Sequence, residues 1–134
     1  MSSREPRRSR ILIVEDEPHV SRLLEFVLVS AGYDVDCVGD GDEAVIALAQ
    51  APPDVLLLDL GLPKRSGRDI LRGLPSGPAR PIVIVLTAGL QDYLADEMRT
   101  GGADALLAKP VAPTTLIARL ASLGVGPLAR GAAA

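Results

Sequence analysis

Four short apolar runs in this 134-residue sequence each stop at a residue that can do chemistry. Ile11-Leu12-Ile13-Val14 runs into Glu15-Asp16-Glu17, and Val55-Leu56-Leu57-Leu58 runs into Asp59. Ile82-Val83-Ile84-Val85-Leu86 ends at Thr87, and Ala105-Leu106-Leu107-Ala108 ends at Lys109-Pro110. A carboxylate at the end of a buried run is half desolvated and costly without a cation or donor beside it. Three such groups brought together repel and raise one another's pKa. A hard divalent cation relieves this, and oxygen ligands without His or Cys select Mg²⁺ or a similar ion such as Mn²⁺. An ammonium holds a carboxylate or phosphoryl oxygen as a point charge, and a hydroxyl donates one hydrogen bond. Glu15, Asp16, Asp59, Thr87 and Lys109, if they meet, suit in-line attack by a carboxylate on a phosphoryl group, giving an aspartyl phosphate.

Whether they meet depends on the elements that carry them. Short non-alternating apolar runs between breakers read as strands buried on both faces. Pro18 suits the first turn of a helix, and Val20, Leu23, Leu24, Val27 and Leu28 repeat at helical spacing up to Gly32. Asp34-Val35-Asp36-Cys37-Val38 partly alternates and reads as an edge strand. A helix with Ala44, Val45, Leu48 and Ala49 on its apolar face follows, stopped by Pro52-Pro53. Gly67 to Leu74 reads as a short helix, and Pro75, Gly77, Pro78 and Pro81 predict a stiff non-helical loop. Helices are expected over 90–100 and about 113–123. Strand–helix alternation five times predicts parallel strands with helices on both faces. The edge-like second strand fits the doubly wound order 2-1-3-4-5, with strands 1 and 3 meeting at the switch point beyond whose carboxyl ends ligands bind. All four chemical residue types then fall on one edge of one sheet.

The bulk composition narrows the alternatives. The chain has room for one domain, expected over 10–123, between a basic arm at 1–9 and a flexible tail at 124–134. Hydrophobic residues make up 48%, but the aromatics are only Phe26, Tyr33 and Tyr93, which leaves little for stacking on bases. A net charge of -3 gives no general attraction to nucleic acid or membrane. The single Cys37 excludes an internal disulfide or multi-Cys metal site and points to the cytoplasm; on its strand it reads as a small apolar filler. No apolar run approaches the roughly 20 residues of a membrane span.

Taken together, the motifs closely resemble the receiver domain of two-component response regulators over about residues 10–123. They are Ile-Leu-Ile-Val-Glu-Asp-Glu-Pro at 11–18, Leu-Leu-Leu-Asp-Leu-Gly-Leu-Pro with Ser-Gly at 56–67, Val-Leu-Thr-Ala at 85–88, and Gly-Ala-Asp to Lys-Pro at 102–110. The resemblance implies a flavodoxin-like three-layer α/β sandwich. It implies that Asp59 accepts phosphoryl from a sensor histidine kinase or phosphotransfer protein, and that a downstream protein reads the change. It also implies Asp16, Asp59 and the backbone carbonyl of Gly61 as Mg²⁺ ligands, with Glu15 acting through a metal-bound water. Thr87 and Lys109 would each take a phosphoryl oxygen, and Lys109–Pro110 would be a cis peptide.

The chain departs from the family pattern in one place that matters. Three residues before the Lys stands Leu106, where the family usually carries Tyr or Phe that swings inward when the Thr moves. Asp104 and Arg119 remain from the usual dimer face, but Ala105 and Leu106 fill its middle, so a monomer or weak homodimer is expected. Gly61 and Gly89 supply no side chain where the family modulates water attack. His19 reads as a surface residue, and Tyr93 as one of the few aromatics that could mark a partner surface. Two rival functions are an Asp-nucleophile phosphohydrolase and a pseudo-receiver that only binds. The first needs an acid two residues after the nucleophile, where Gly61 stands; the second does not need the complete site. The chain reads as a stand-alone signalling phosphoacceptor, not a turnover enzyme, or as the receiver portion of a longer transcription factor or hybrid kinase.

Overall fold

Five parallel strands form one sheet in the order β2-β1-β3-β4-β5. They are β1 (Arg10–Val14), β2 (Asp34–Val38), β3 (Val55–Asp59), β4 (Ile82–Thr87) and β5 (Ala105–Ala108). The computed structural model describes residues 9–62, 64, 66–88 and 101–127. The described helices are α1 (Pro18–Ser30), α2 (Gly41–Gln50), α3 (Gly67–Arg72) and α4 (Pro113–Ser122). The expected 90–100 helix, Gly89 and Tyr93, the arm at 1–8 and the tail at 128–134 lie outside the described residues.

Each central strand feeds two cores, which is why it is apolar throughout. Ile11, Ile13, Val55, Leu57, Ile84 and Leu86 face Leu24 and Leu28 of α1 and Leu116 and Leu120 of α4. Their neighbours Leu12, Val14, Leu56, Leu58, Val83 and Val85 face Ala44 of α2 and Ile70 and Leu71 of α3. Leu56 and Leu57 are fully buried, on opposite faces. Truncating either to Ala would cost about 2–5 kcal/mol. Register is pinned by Ile13↔Leu57 between β1 and β3 and by Asp59↔Leu86 between β3 and β4.

Side-chain caps fix where α1, α2 and α3 start. Glu17 accepts from His19 N and opens α1, Asp40 Oδ1 accepts from Glu43 N at 2.8 Å and opens α2, and Ser66 Oγ accepts from Asp69 N and opens α3. Lys64, at φ 70°, reaches back to Asp40 with Nζ–Oδ2 of 3.4 Å and ties two loops together. The Glu43 amide, with Lys64, holds the Asp40 carboxyl below its usual value.

Three expectations need correction. The 75–81 loop contains a 3-10 turn, Gly77–Ala79, because Pro78 has the fixed φ such a turn uses and Gly77 takes φ +80°. Cys37 is exposed on edge strand β2 and fills no core. The tail is packed as far as Pro127. Val125 is buried, Tyr33 Oη donates to Val125 O at 2.8 Å, and Ser9 Oγ donates to Gly126 O at 2.8 Å. A small domain short of aromatics gains core area by folding that segment over Tyr33.

Candidate functional site

The strand ends deliver the chemical side chains to one edge. Glu15 follows β1 and Asp59 closes β3. Thr87 closes β4, and Lys109 follows β5, its amide donating to Thr87 O at 2.8 Å. Glu15 N donates to Val38 O at 3.1 Å, so pairing continues one residue past β1 and turns the Glu15 side chain inward. Lys109–Pro110 is cis, as the resemblance implies. At the start of α3, a Cβ on Gly67 would lie 2.7 Å from Asp59 O and 2.9 Å from Leu60 Cα, so only glycine lets this helix begin against the β3 end.

The ammonium of Lys109 joins two acids. Its Nζ lies 3.0 Å from Glu15 Oε1 and 3.3 Å from Asp59 Oδ2. Gly61 N donates to the other Asp59 oxygen, Oδ1, at 3.1 Å, and Glu17 N donates to Glu15 Oε2 at 3.2 Å. Glu15, Asp59 and Thr87 are the buried polar residues among those described, while Asp16 is exposed. One carboxylate oxygen from each of Glu15, Asp16 and Asp59 falls within 4.8 Å of the others. An open cavity of about 470 Å³ runs over this edge, walled by Asp16, Asp59, Gly61, Arg68, Thr87 and Lys109.

The electrostatics follow from burial and crowding. Desolvation pushes the Glu15 carboxyl above its usual value and the nearby Asp59 charge adds to this, while the hydrogen bond from Lys109 opposes it. Burial works against the Lys109 ammonium, yet the bond to Glu15 and the charges of Asp59 and Glu15 outweigh it and raise the pKa. Three acids against the Lys109 ammonium and the Arg68 guanidinium leave excess negative charge, and the donors around it are all oxygen. That donor set fits a hard divalent cation such as Mg²⁺, which Asp16, Asp59 and Gly61 would hold at the cavity wall. Glu15 lies deeper, engaged by Lys109 and the Glu17 amide.

All five side chains expected to meet at this edge are brought together by the fold. Reading strand ends misses Arg68, the second residue of α3, which enters the cavity from a helix start. The signal was present as a cation directly after the Ser-Gly that opens the helix following Asp59. Leu106 is half-buried, paired in register with Val85, and packs on the core beneath α2 and α3. Asp104, read as a remnant of the usual dimer face, is exposed, and its Oδ2 accepts from Val83 N at 2.7 Å.

Comparison with known proteins agrees with this geometry. Residues 11–121 match the family described as the response regulator receiver domain. The chain is 39% identical over 113 residues to the DNA-binding response regulator MtrA of Mycolicibacterium smegmatis, covering 84% of this chain and 49% of that protein. It is 40% identical over 110 residues to the transcriptional regulatory protein KdpE of Mycobacterium tuberculosis, covering 82% of this chain and 48% of that one. The chain thus spans about half the length of these relatives. Among solved structures, a response regulator signal receiver domain from Bermanella marisrubri matches with a TM-score of 0.76 at 32% identity, covering 86% of this chain and 97% of that one. The chemotaxis response regulator CheY4 of Vibrio cholerae matches with a TM-score of 0.80 at 25% identity, covering 87% and 98%. With its sheet order, its edge of acids, Thr and Lys, and these likenesses, the chain belongs to the response regulator receiver family.

Proposed function

We propose that Asp59 accepts a phosphoryl group from the phosphohistidine of a sensor kinase or phosphotransfer protein, or from a small phosphodonor, and that this changes binding of a downstream protein. The observation that carries the reading is the setting of Asp59. Its Oδ2 lies 3.3 Å from Lys109 Nζ and its Oδ1 takes the Gly61 amide, in a cavity shared with Asp16 and Thr87. A carboxylate oxygen attacks phosphorus, and the bond to the donor's imidazole nitrogen or acyl oxygen breaks. The electron pair leaves with the donor, and an imidazole so released takes a proton from water. Lys109, already against Asp59, stays beside the oxygens that gain charge, and Thr87 donates to one of them. Asp16, Asp59 and Gly61 would hold Mg²⁺ or Mn²⁺, which supplies charge neutralisation to the phosphoryl oxygens when bound.

The donor has a physical seat beside the acceptor. Leu23 and Phe26 on α1 are 51% and 69% exposed. Beside them an apolar cavity of about 270 Å³ is lined by Val20, Leu24 and Val111 and reaches Lys109. An exposed apolar helix face next to the acceptor suits a helical protein donor.

The test is incubation with labelled acetyl phosphate and Mg²⁺. One equivalent or less of hydroxylamine-sensitive phosphate on the wild type, and none on Asp59→Asn, is the expected result. Turnover of many phosphates would instead mark a phosphohydrolase, and an unlabelled wild type a binding-only module. Gly61 argues against the hydrolase, because no acid stands two residues after the nucleophile to protonate a leaving group.

A further inference from the structure

Arg68 sits where helix stability alone would not place a cation. The first turn of a helix favours acids, and α3 has the ordinary arrangement otherwise, with Asp69 in its first turn and Arg72 in its last. Arg68 nonetheless occupies the second position, half-buried, on the wall of the cavity that holds Asp59, Thr87 and Lys109. The close approach of Gly67 to the Asp59 carbonyl oxygen and to Leu60 Cα fixes the backbone at this point, so Arg68 is carried on a helix start seated directly against the strand end.

We propose that Arg68 is a second phosphoryl-binding cation, holding an oxygen of the group on Asp59 from the α3 side while Lys109 holds one from the β5 side. This rests on the phosphoacceptor reading above and deepens it. Charge balance argues for it. Glu15, Asp16 and Asp59 against Lys109 and Arg68 leave one net negative charge. A divalent cation turns this to one positive charge. Converting the Asp59 carboxylate to a dianionic acyl phosphate brings the set to neutrality. Without Arg68 the phosphorylated site would carry one net negative charge, which a half-buried wall screens less well than water does. Chemistry argues for it too. Lys109 is a point charge shared between two carboxylates, and a guanidinium adds a planar fork whose geometry matches phosphoryl oxygens.

The proposal predicts effects of opposite sign from one substitution. Removing a cation near the acids strengthens Mg²⁺ binding to the unphosphorylated protein and weakens binding of the phosphoryl mimic beryllofluoride. In Arg68→Ala and Arg68→Gln, beryllofluoride affinity at saturating Mg²⁺ should fall about tenfold, as for the loss of one charge-assisted hydrogen bond. Mg²⁺ affinity should rise severalfold, and Arg68→Lys should recover part of the beryllofluoride affinity. Both are read by titration calorimetry, with circular dichroism to show that the variants fold. Beryllofluoride affinity within twofold of wild type, or loss of Mg²⁺ and beryllofluoride binding together, overturns the assignment; the second pattern marks a purely structural arginine. Acetyl phosphate labelling separates this from the parent reading. An unlabelled wild type overturns both, while a labelled wild type with unaltered Arg68 variants overturns Arg68 alone.

Discussion

The two edges of the sheet use the same residue type in opposite ways. At the amino edge, Asp54 precedes β3 and its Oδ2 accepts from Arg10 N at 2.7 Å; Asp104 precedes β5 and its Oδ2 accepts from Val83 N at 2.7 Å. Each acid is paired with a backbone donor of the neighbouring strand, and each bond fixes register there. At the carboxyl edge, Glu15, Asp16 and Asp59 crowd within 4.8 Å of one another around one ammonium. Acids matched to backbone donors stabilise the fold, whereas acids crowded on each other leave charge that a cation or a phosphoryl group must balance.

The sharpest way to break this comparison is to exchange the consequences. Asp59→Asn should lose all phosphate incorporation from acetyl phosphate. Its melting temperature without Mg²⁺ should be equal to or above that of the wild type, because one of three repelling charges is gone. A variant that is both unlabelled and several kcal/mol less stable would show that Asp59 serves the fold as Asp54 and Asp104 do.

Metal addition probes the same contrast in the unmodified protein. A ligand bound only by the folded state stabilises it by about 2.7 kcal/mol at a hundredfold excess over its Kd. Mg²⁺ should therefore raise the thermal midpoint of the wild type, should raise that of Asp16→Asn much less, and should act in full on Asp104→Ala. Equal responses in all three proteins would place the ion away from the carboxyl edge.

Asp104→Ala is the converse of Asp59→Asn. It leaves the half-buried Val83 amide without its acceptor, a loss of about 1–3 kcal/mol. Urea denaturation should show that loss, while labelling by acetyl phosphate stays within about twofold of wild type, since the substitution lies at the opposite end of β5.

The carboxyl edge was legible in the sequence for a physical reason. Strands covered on both faces must be apolar, so a polar or charged residue marks where each one stops, and parallel strands stop on one side. The order of the sheet followed from the partial alternation of Asp34–Val38. The amino edge was less legible, because an acid before a strand looks the same whether it faces solvent, a partner or an adjacent backbone amide. Nothing in the residue type of Asp104 announces its bond to Val83 N. Arg68 was missed because it arrives from a helix, where periodicity predicts only a surface charge. Val125 was missed because its burial depends on Tyr33, which is distant in sequence.

The smallest expected effect concerns signal output through β5 and α4. Leu106 packs in the core at the place where the family usually has a ring, and it lacks the polar edge with which a Tyr could report the position of Thr87. Ala105 is small, the Asp104 carboxylate is engaged by Val83 N, and Arg119 stands exposed in the last turn of α4 without an acid from that strand to meet. Beryllofluoride with Mg²⁺ should therefore leave the sedimentation-velocity profile essentially that of the free protein. A large dimer fraction with beryllofluoride, abolished by Arg119→Glu, would mean that this face works without its ring. The carboxyl edge would then communicate with β5 through backbone shifts along the Lys109 N–Thr87 O bond rather than through an aromatic switch.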